Sequence, residues 1–340
     1  MGYKSNISLF LTMIQTEVGK DILKAKLHLA DSEVVAIPTE TVYGLAANGL
    51  NSVAIAKIFT AKKRPLSNPL ILHYKDTPSA FNDVIKIPDA ARLLAQEFWP
   101  GPLTMLLPKK SHIPDSVTAG KHRVAIRVPN HPVTRALLES LNFPLAAPSA
   151  NLYGCISPTT ANHVLDQLNN RIPYILDGGK CNKGIESTIV GFDDGEVVVY
   201  RLGGIDIEAL ENCINKKILV TNKNNDDNEP LASGMVKHHY APTTPLYSIL
   251  EKDNKINLKN YGFIGLKNLD KDIPTENQYL LSSNGDLKEA AQQLYASFHV
   301  MDAKNYEAIF VELVPELELG RSINDRIRRA LQKTKHKKSP

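Results

Sequence analysis

Cysteine is scarce in this chain of 340 residues, and the three present, Cys155, Cys181 and Cys213, are odd in number and show no C-x-x-C spacing. This pattern argues against a disulfide framework and against a structural zinc site built on thiolates. Reduced thiols are therefore expected, which favours a cytoplasmic protein. Cys155 is interpreted as a small neutral filler rather than a nucleophile.

Long apolar runs are also absent, because no segment approaches the roughly 18 consecutive apolar residues that a membrane-spanning helix needs. No membrane contact is expected. The apolar stretch at residues 7–14 lacks the small-residue cleavage pattern of a signal peptide. Residues 1–16 are interpreted as a leader or an added strand, and Met13 is an alternative start, so the sequence leaves these options open.

Excess positive charge is missing from most of the chain. The formal net charge is +4, but residues 321–340 carry eight Lys or Arg against one Asp, a local charge of +7, which leaves −3 on the preceding 320 residues. A nucleic-acid-binding protein normally has a basic body. RNA binding by the body is therefore disfavoured, and the basic tail at 333–340 is interpreted as either solvated or in weak contact with tRNA or other RNA.

Apolar residues are absent from residues 221–230 (TNKNNDDNEP), which indicates a linker and, with this chain length, two domains. In residues 17–215 short strands mix with helices and Pro-rich turns, which predicts an α/β domain with a twisted mixed sheet. Residues 216–244 form the linker and a lid. Residues 245–332 show the order strand, strand, helix, strand, helix, which predicts a small three-layer, Rossmann-like domain with a parallel sheet. It contains no G-x-G-x-x-G, so dinucleotide binding has no support.

What the chain does contain is a series of polar turns beside short apolar runs. Residues 38–44 (PTETVYG) follow a predicted strand at 34–37, residues 62–65 (KKRP) end a predicted helix over 53–62, and residues 68–73 (NPLILH) include a predicted strand at 70–72. They supply hydroxyls, a carboxylate, an amide, an imidazole and cations, and Arg fits phosphate or carboxylate oxygens. An anion site with a small polar ligand is favoured; the alternative is a solvated basic helix end.

Further turns of the same kind follow. Residues 146–151 (AAPSAN) end an apolar run, and residues 157–159 (SPT) are predicted to open a helix, where free backbone N–H groups face anions. Residues 184–190 (GIESTIV) lead into a strand, and Arg201 ends the predicted strand at 197–200.

In this order and spacing, the segments resemble the threonylcarbamoyl-AMP synthase family, whose catalytic domain has the YrdC-type fold. The resemblance rests on the turns above and on residues 98–104 (FWPGPLT), 123–129 (RVAIRVP) and 148–151 (PSAN). Residues 234–242 (GMVKHHYAP) are similar to the signature linking that domain to the extra C-terminal domain of the longer members. The resemblance covers residues 17–331, thinly after 245.

The resemblance implies a nucleotidyltransferase, L-threonylcarbamoyladenylate synthase, which joins L-threonine, bicarbonate and ATP into threonylcarbamoyl-AMP and releases pyrophosphate. Mg²⁺ is expected to enter with ATP, without a dedicated protein site. A separate tRNA threonylcarbamoyltransferase complex is expected to place the product on the adenosine beside the anticodon. This chemistry requires a neutralised polyphosphate, exclusion of water and an aligned nucleophile.

Carried over by motif, the resemblance implies two sets of contacts and assigns no catalytic residue. The positions expected to contact ATP are Lys62, Arg64, Asn68, Arg123, Ser149, Asn151, Ser157, Arg201, His239 and Tyr240. The positions expected to contact threonine are Thr41, His73, Arg127, Ala147 through its backbone, and Ser187. His239 and Tyr240 would make residues 233–242 a lid that dries the site on closing.

These assignments have structural alternatives. Thr41 and Ser187 could instead cap turns, and His73 could form a hydrogen bond within the core. Arg123 and Arg127 could extend from an exposed strand. Glu40 and Glu186 are interpreted as carboxylates that orient hydroxyls or an arginine, rather than as bases or magnesium ligands. Leu202 and Ser233 stand where many relatives have proline, which leaves ligand groups intact but frees a backbone dihedral in the lid.

Three functions compete at this point. The first is the synthase, and the second is an RNA-binding or translation-associated module, which predicts salt-sensitive RNA binding without ATP turnover. The third is a carbamoyl-transfer maturation factor with a similar domain, which should bring an acylphosphatase-like region and cysteine-rich zinc motifs that this chain lacks. The site positions favour the synthase, since fold analogy alone would not separate the three.

Overall fold

The structure is a computed structural model that describes residues 15–221, 231–235, 240–253 and 257–336, with side chains as far as Gln332. The strands are β1 Glu17–Gly19, β2 Val35–Ile37, β3 Gly44–Asn48, β4 Ile71–His73, β5 Leu103–Pro108, β6 Arg123–Arg127, β7 Leu145–Ala146, β8 Tyr174–Leu176, β9 Thr188–Asp193, β10 Glu196–Arg201, β11 Leu219–Val220, β12 Leu246–Ser248, β13 Tyr261–Gly265, β14 Gln278–Leu280 and β15 Ala308–Val311. The helices are α1 Ile22–Ala30, α2 Ser52–Lys62, α3 Thr77–Asn82, α4 Asp89–Phe98, α5 Asp115–Thr118, α6 Pro132–Glu139, α7 Ala161–Leu168, α8 Ile207–Ile214, α9 Leu287–Asp302 and α10 Gly320–His336, with 3-10 turns at Ile249–Glu251, Leu258–Asn260 and Thr275–Asn277.

The strands form two sheets. The larger sheet has eleven strands in the order β1-β8-β2-β3-β7-β4-β6-β5-β9-β10-β11 and is mixed: β2 pairs parallel with β8 and antiparallel with β3, and β6 pairs parallel with β4 and antiparallel with β5. The smaller sheet has four strands in the order β12-β15-β13-β14, all parallel. The predicted α/β fold class, a large mixed sheet followed by a small parallel one, is confirmed.

Side chains on the larger sheet alternate between two cores. On β2, Val35 and Ile37 pack with α1 and α6, whereas Ala36 packs on the opposite face with α2. Because helices cover both of these faces, the strands are apolar throughout, and short apolar runs were sufficient to predict them. The predicted strands at 34–37 and 70–72 and the helix over 53–62 each lie within one residue of the observed element.

A different covering is found over β4, β6, β5, β9 and β10. There, Ile71, Ile189 and Tyr200 pack against Ala232 and Met235. Residues 231–235, which we call the covering segment, therefore close this face in place of a helix. They belong to the region interpreted from sequence as linker and lid.

In the smaller sheet, α9 and α10 pack on one face. Phe298 of α9 and Ile323 and Ile327 of α10 are fully buried against Ile309 of β15. The apolar residues of the last helix therefore face the core of this domain. The opposite face is closed by an aromatic and aliphatic cluster that includes Phe263, Phe310 and Ile273. β14 was not predicted, because its three half-buried residues form no apolar run.

Helix α7 begins later than the sequence predicted. Its N-cap is Thr160, whose side chain accepts a hydrogen bond from the His163 backbone N–H at 3.3 Å, so the helix starts at Ala161. The prediction that residues 157–159 open the helix is wrong. The Ser157 hydroxyl instead donates to Glu186 at 2.7 Å, which removes it as a cap.

The predicted segments at the chain ends and in the linker lie partly outside the described residues. Residues 1–14, 222–230, 236–239 and 337–340 are not described. β1 pairs in parallel with β8 at the margin of the larger sheet, directly after the predicted leader, and α10 continues to His336. In the part of the chain that the structure describes, none of the helices has the length and apolar character required to cross a membrane.

The two sheets are joined through one apolar cluster, in which Val42, Ile156 and Ile185 pack with residues of α9 that include Tyr295. Gly184 lies at this junction with a φ of +73°. A Cβ at this position would lie 2.5 Å from both Cα and the carbonyl oxygen of Gln292. Glycine is therefore required here both by the backbone conformation and by the close approach of α9.

We expect Gly184→Ala to destabilise the chain more than Gly195→Ala. Gly195 also has a positive φ, +84°, but a Cβ there meets no atom within 4 Å. Gly195→Ala, the control, should lower the unfolding free energy by about 1 to 2 kcal/mol through backbone strain. Gly184→Ala should lower it by about 1 to 3 kcal/mol more, because its Cβ clashes with α9. Urea denaturation of both variants measures the difference, and equal losses would contradict the packing described.

Candidate active site

A cavity lies against the face of the larger sheet beneath the covering segment. Ile71 and His73, two residues apart on β4, share this face, and Arg127 of β6 is the register partner of His73. The lining residues are Thr41, Val42, Arg64, Ile71, His73, Arg127, Ala147, Pro148, Ser149, Glu186, Ser187, Arg201, Ser233, Gly234 and Tyr240. All the residues expected to contact threonine line the cavity, together with Arg64, Ser149, Arg201 and Tyr240 of the ATP set.

The Arg64 guanidinium is buried and held by neutral acceptors. Its Nη2 donates to Asn68 Oδ1 at 2.6 Å, to the Pro69 carbonyl at 2.9 Å and to Ser233 Oγ at 3.2 Å, while Nε donates to the Asn68 carbonyl at 3.3 Å. Burial lowers the pKa of Arg64 to about 10, so the group stays charged at neutral pH. Asn68, expected to contact ATP, thus orients Arg64 and does not line the cavity.

Arg201, at the end of β10, is oriented in a similar way. Its Nε and Nη2 donate to the Ser187 carbonyl at 3.1 and 2.8 Å, Nη2 also reaches Ser187 Oγ at 3.0 Å, and Nη1 donates to the Ser233 carbonyl at 2.9 Å. Burial lowers the pKa of Arg201. Neither Arg201 nor Arg64 forms an ion pair with a carboxylate of the described residues. Two buried positive charges in one cavity therefore have no paired carboxylate in the part of the chain that the structure describes.

Arg127 is paired, but it retains a donor group. Its Nη2 donates to Glu40 Oε1 at 2.6 Å and to Thr41 Oγ1 at 3.0 Å, and its Nε donates to the Gly101 carbonyl at 3.2 Å. Glu40 Oε2 accepts from the Asn130 backbone N–H at 3.0 Å. Glu40 therefore orients an arginine, as interpreted from sequence. Arg127 Nη1 has no hydrogen-bond partner among the described residues and is available to a ligand.

His73 is a neutral wall of the cavity. Its Nδ1 lies 3.2 Å from the Ile71 carbonyl oxygen, which can only accept, so the proton is on Nδ1. Burial, followed by the charge of Arg127, lowers the pKa of His73 to about 3. The imidazole therefore adds no positive charge to the cavity at neutral pH.

Lys62 supports the loop that carries Ser149. Its Nζ donates to the carbonyl oxygens of Ser149 at 2.6 Å and Asn151 at 2.5 Å, and Lys62 does not line the cavity. Asn151 Nδ2 in turn donates to the carbonyls of Leu152 and Cys155. Burial, followed by the charge of Arg64, lowers the pKa of Lys62 well below its usual value. Lys62 and Asn151 therefore shape the loop behind Ser149.

The remaining residues of the ATP set lie elsewhere. Arg123 pairs with Asp193 at 2.6 Å, its guanidinium lies 5.5 Å from the centroid of the Tyr200 ring, and it does not line the cavity. Ser157 is buried against Glu186. His239 lies outside the described residues.

Two residues that contact the cavity lining were missed by sequence reasoning because they come from the C-terminal domain. Tyr295 of α9 donates its hydroxyl to Glu186 at 2.9 Å, and Arg326 of α10 pairs with Glu186 at 2.9 Å. Arg326 is fully buried although it is charged. Nothing in the sequence around Arg326 indicated that this arginine points away from solvent.

Tyr240 closes the remaining side of the cavity. Its backbone has a φ of +68°, its ring is stacked 5.7 Å from that of Tyr295, and it is buried. Gly234, at a φ of +79°, passes so close that a Cβ would lie 2.7 Å from Tyr240 Oη and 2.9 Å from Arg201 Nη1. Ser233 and Gly234 of the covering segment and Tyr240 together form one wall of the cavity. The large mixed sheet and this cationic cavity define a YrdC-like α/β protein.

Comparisons with known proteins agree with this class. A family model described as telomere recombination (Sua5, YciO and YrdC) matches residues 28–203, and one described as the threonylcarbamoyl-AMP synthase C-terminal domain matches residues 205–331. Threonylcarbamoyl-AMP synthases of Bacillus subtilis and Pyrococcus abyssi are 38% and 36% identical, over 91% and 89% of this chain and 92% and 91% of their own lengths. The crystal structure of P. abyssi Sua5 complexed with L-threonine has a TM-score of 0.83 at 33% identity and covers 95% of this chain and 98% of its own.

The chain therefore belongs to the threonylcarbamoyl-AMP synthase family, in the form that carries both the YrdC-type domain and the C-terminal domain. It is an enzyme. The resemblance inferred from its motifs is confirmed, whereas the roles of individual site residues stay predictions.

We expect His73 to make folding sensitive to mild acid. Its folded pKa of about 3 lies below the ordinary value of 6.5, so its stabilising contribution is complete above pH 6.5 and is lost as pH falls towards 3. Between pH 7 and pH 5 this amounts to about 2 kcal/mol of unfolding free energy. Urea denaturation at pH 7 and pH 5 gives the loss of unfolding free energy between the two pH values. This loss should be smaller by that amount in His73→Gln than in the wild type. An unchanged difference would contradict the buried neutral imidazole, and His122→Gln, at an exposed histidine, controls for the loss of one ring.

Proposed function

We propose that the chain is an L-threonylcarbamoyladenylate synthase, a nucleotidyltransferase that makes threonylcarbamoyl-AMP and pyrophosphate from L-threonine, bicarbonate and ATP. The observation that carries this proposal is the pair of buried guanidiniums, Arg64 and Arg201, without a carboxylate partner in the described residues. A buried charge without a counterion is costly, and a phosphate chain removes that cost while its oxygens accept the remaining N–H groups. Arg64 Nη1, which has no hydrogen-bond partner among the described residues, is one such donor.

The other end of the cavity suits threonine. Arg127 Nη1 is available for the amino acid carboxylate, Thr41 Oγ1 lies beside Arg127, and the Ser187 hydroxyl, near Arg201, lines the same cavity. His73 and Ala147 supply a neutral surface there. The Sua5 protein of P. abyssi was crystallised as a complex with L-threonine, which supports the same amino acid here.

The reaction needs little covalent help from the protein. The threonine amine combines with bicarbonate, with loss of water, to give an N-carboxylate, and one oxygen of that group attacks the α-phosphorus of ATP. A new P–O bond forms as the bond from the α-phosphorus to the bridging oxygen breaks, and pyrophosphate leaves with that electron pair. Arg64 and Arg201 would stabilise the charge on the phosphates, and the cavity would protect the labile carbamate and mixed anhydride from water.

Magnesium is proposed to enter as the ATP complex. Among the described residues no group of three or more His, Cys, Asp or Glu side chains could hold a metal ion. Phosphate oxygens and water would then supply its ligands, as is usual for magnesium on nucleotides. Of the described parts, the covering segment and Tyr240 must move to admit this complex.

The product is proposed to serve a separate tRNA threonylcarbamoyltransferase complex in the cytoplasm. A mixed anhydride of a carbamate and AMP is prone to hydrolysis, so transfer to tRNA must follow its release closely. The basic tail is a candidate for weak RNA contact near that step.

The proposal is tested by measuring pyrophosphate release from MgATP by the purified full chain, with and without L-threonine and bicarbonate. We expect release to require both co-substrates. Arg64→Ala should lower kcat/KM for ATP by about 100-fold, because a charged donor to the phosphates is lost. Arg92→Ala, at an exposed arginine of α4, should stay within about twofold of the wild type.

Circular dichroism of both variants shows whether each remains folded. Pyrophosphate release that ignores threonine and bicarbonate would overturn the assigned reaction. If nothing is released while RNA binds at low salt, the synthase assignment fails and an RNA-binding module replaces it.

A further inference from the structure

Glu186 of the catalytic domain is held by the C-terminal domain. Its Oε2 accepts from Arg326 Nε at 2.9 Å and from the Tyr295 hydroxyl at 2.9 Å, and its Oε1 accepts from Ser157 at 2.7 Å and from Tyr295 at 3.1 Å. Both Arg326 and Tyr295 are fully buried. The carboxylate is therefore fixed by three donor groups, two of which, Tyr295 and Arg326, lie across the domain junction.

This carboxylate also lies near one of the unpaired arginines. Glu186 and Arg201 both line the cavity, and Glu186 directly precedes Ser187, whose carbonyl accepts two hydrogen bonds from Arg201. The charge of Glu186 acts on Arg201, and that of Arg201 on Glu186. Arg201 nevertheless forms no ion pair with Glu186, because the carboxylate is turned towards the C-terminal domain.

Arg326 is equipped to maintain this separation. Besides binding Glu186, its Nη2 donates to the carbonyl of Leu202, the residue after Arg201, at 2.6 Å. Its guanidinium lies 4.9 Å from the centroid of the Tyr240 ring, and its Nη1 pairs with Asp325. One side chain from α10 therefore fixes the residues beside Ser187 and Arg201 and contacts the aromatic ring that closes the cavity.

We propose that Arg326 and Tyr295 are positioning residues of the synthase, which hold the Glu186 carboxylate away from Arg201 and so keep Arg201 available to the phosphates of ATP. This inference rests on the proposed function. A buried carboxylate that loses its partner pairs with the nearest buried cation. Without Arg326, Glu186 would neutralise Arg201 and compete with the nucleotide.

The test is whether removal of Glu186 repairs the loss of Arg326. We expect Arg326→Met to weaken MgATP binding by about tenfold, measured by titration calorimetry, with a matching rise in KM in the pyrophosphate assay. Arg326→Met with Glu186→Gln should return to within about threefold of the wild type, since no carboxylate then competes for Arg201. Arg321→Met is the matched control: it breaks another ion pair across the junction, to Glu208 at 2.7 Å, away from the cavity, and should change binding by less than about twofold.

A merely structural Arg326 would give a defect that Glu186→Gln leaves in place or worsens, and that result overturns the inference. An Arg326→Met variant whose affinity for MgATP equals that of Arg321→Met also overturns the inference. If Arg326→Met does not fold, Tyr295→Phe is the deciding variant. It should weaken MgATP binding by about threefold, and adding Glu186→Gln should reverse that loss. A Tyr295→Phe variant that binds MgATP with wild-type affinity overturns the inference. Wild-type chain that binds no MgATP overturns the proposed function and this inference together, whereas active wild type without rescue overturns the inference alone.

Discussion

A guanidinium loses solvation worth several kcal/mol when it leaves water, and this structure buries those of Arg64, Arg127 and Arg201 around one cavity. Much of the site is arranged to offset that loss. Carbonyl oxygens of Pro69, Ser187 and other turn residues point at these donors, and among the described residues only Arg127 of the three meets a carboxylate directly, that of Glu40. The polar turns beside the strands, the covering segment and the loop behind Ser149 are therefore parts of one electrostatic design.

The same constraint explains why the C-terminal domain is close to the site. The cavity wall includes a carboxylate, Glu186, that could satisfy Arg201 by itself. Arg326 and Tyr295 engage it instead, so α9 and α10 influence the charge of a cavity that they do not line. Gly184, which allows α9 to approach, makes this arrangement sterically possible. The smaller domain is thus structurally continuous with the site.

The sequence was sufficient for features that depend on local patterns. Short apolar runs located β2 and β4, and the resemblance to the family implied Thr41, His73, Arg127 and Ser187, which the fold brings to one cavity. The start of α7 was misplaced because competition for the Ser157 hydroxyl is a long-range effect. The burial of Arg326 could not be read from its helix, since only the position of Glu186, 140 residues earlier, explains it. Local patterns carry no information about which carboxylate a cation will meet.

The covering segment also has a kinetic consequence. Ala232 and Met235 pack against the apolar face of the larger sheet, so opening the cavity exposes apolar surface and has an activation barrier of its own. Under the proposed function, ATP would enter as the covering segment moves. At high ATP concentration the rate of association would therefore level off at the opening rate, however strongly the three arginines attract the nucleotide from a distance.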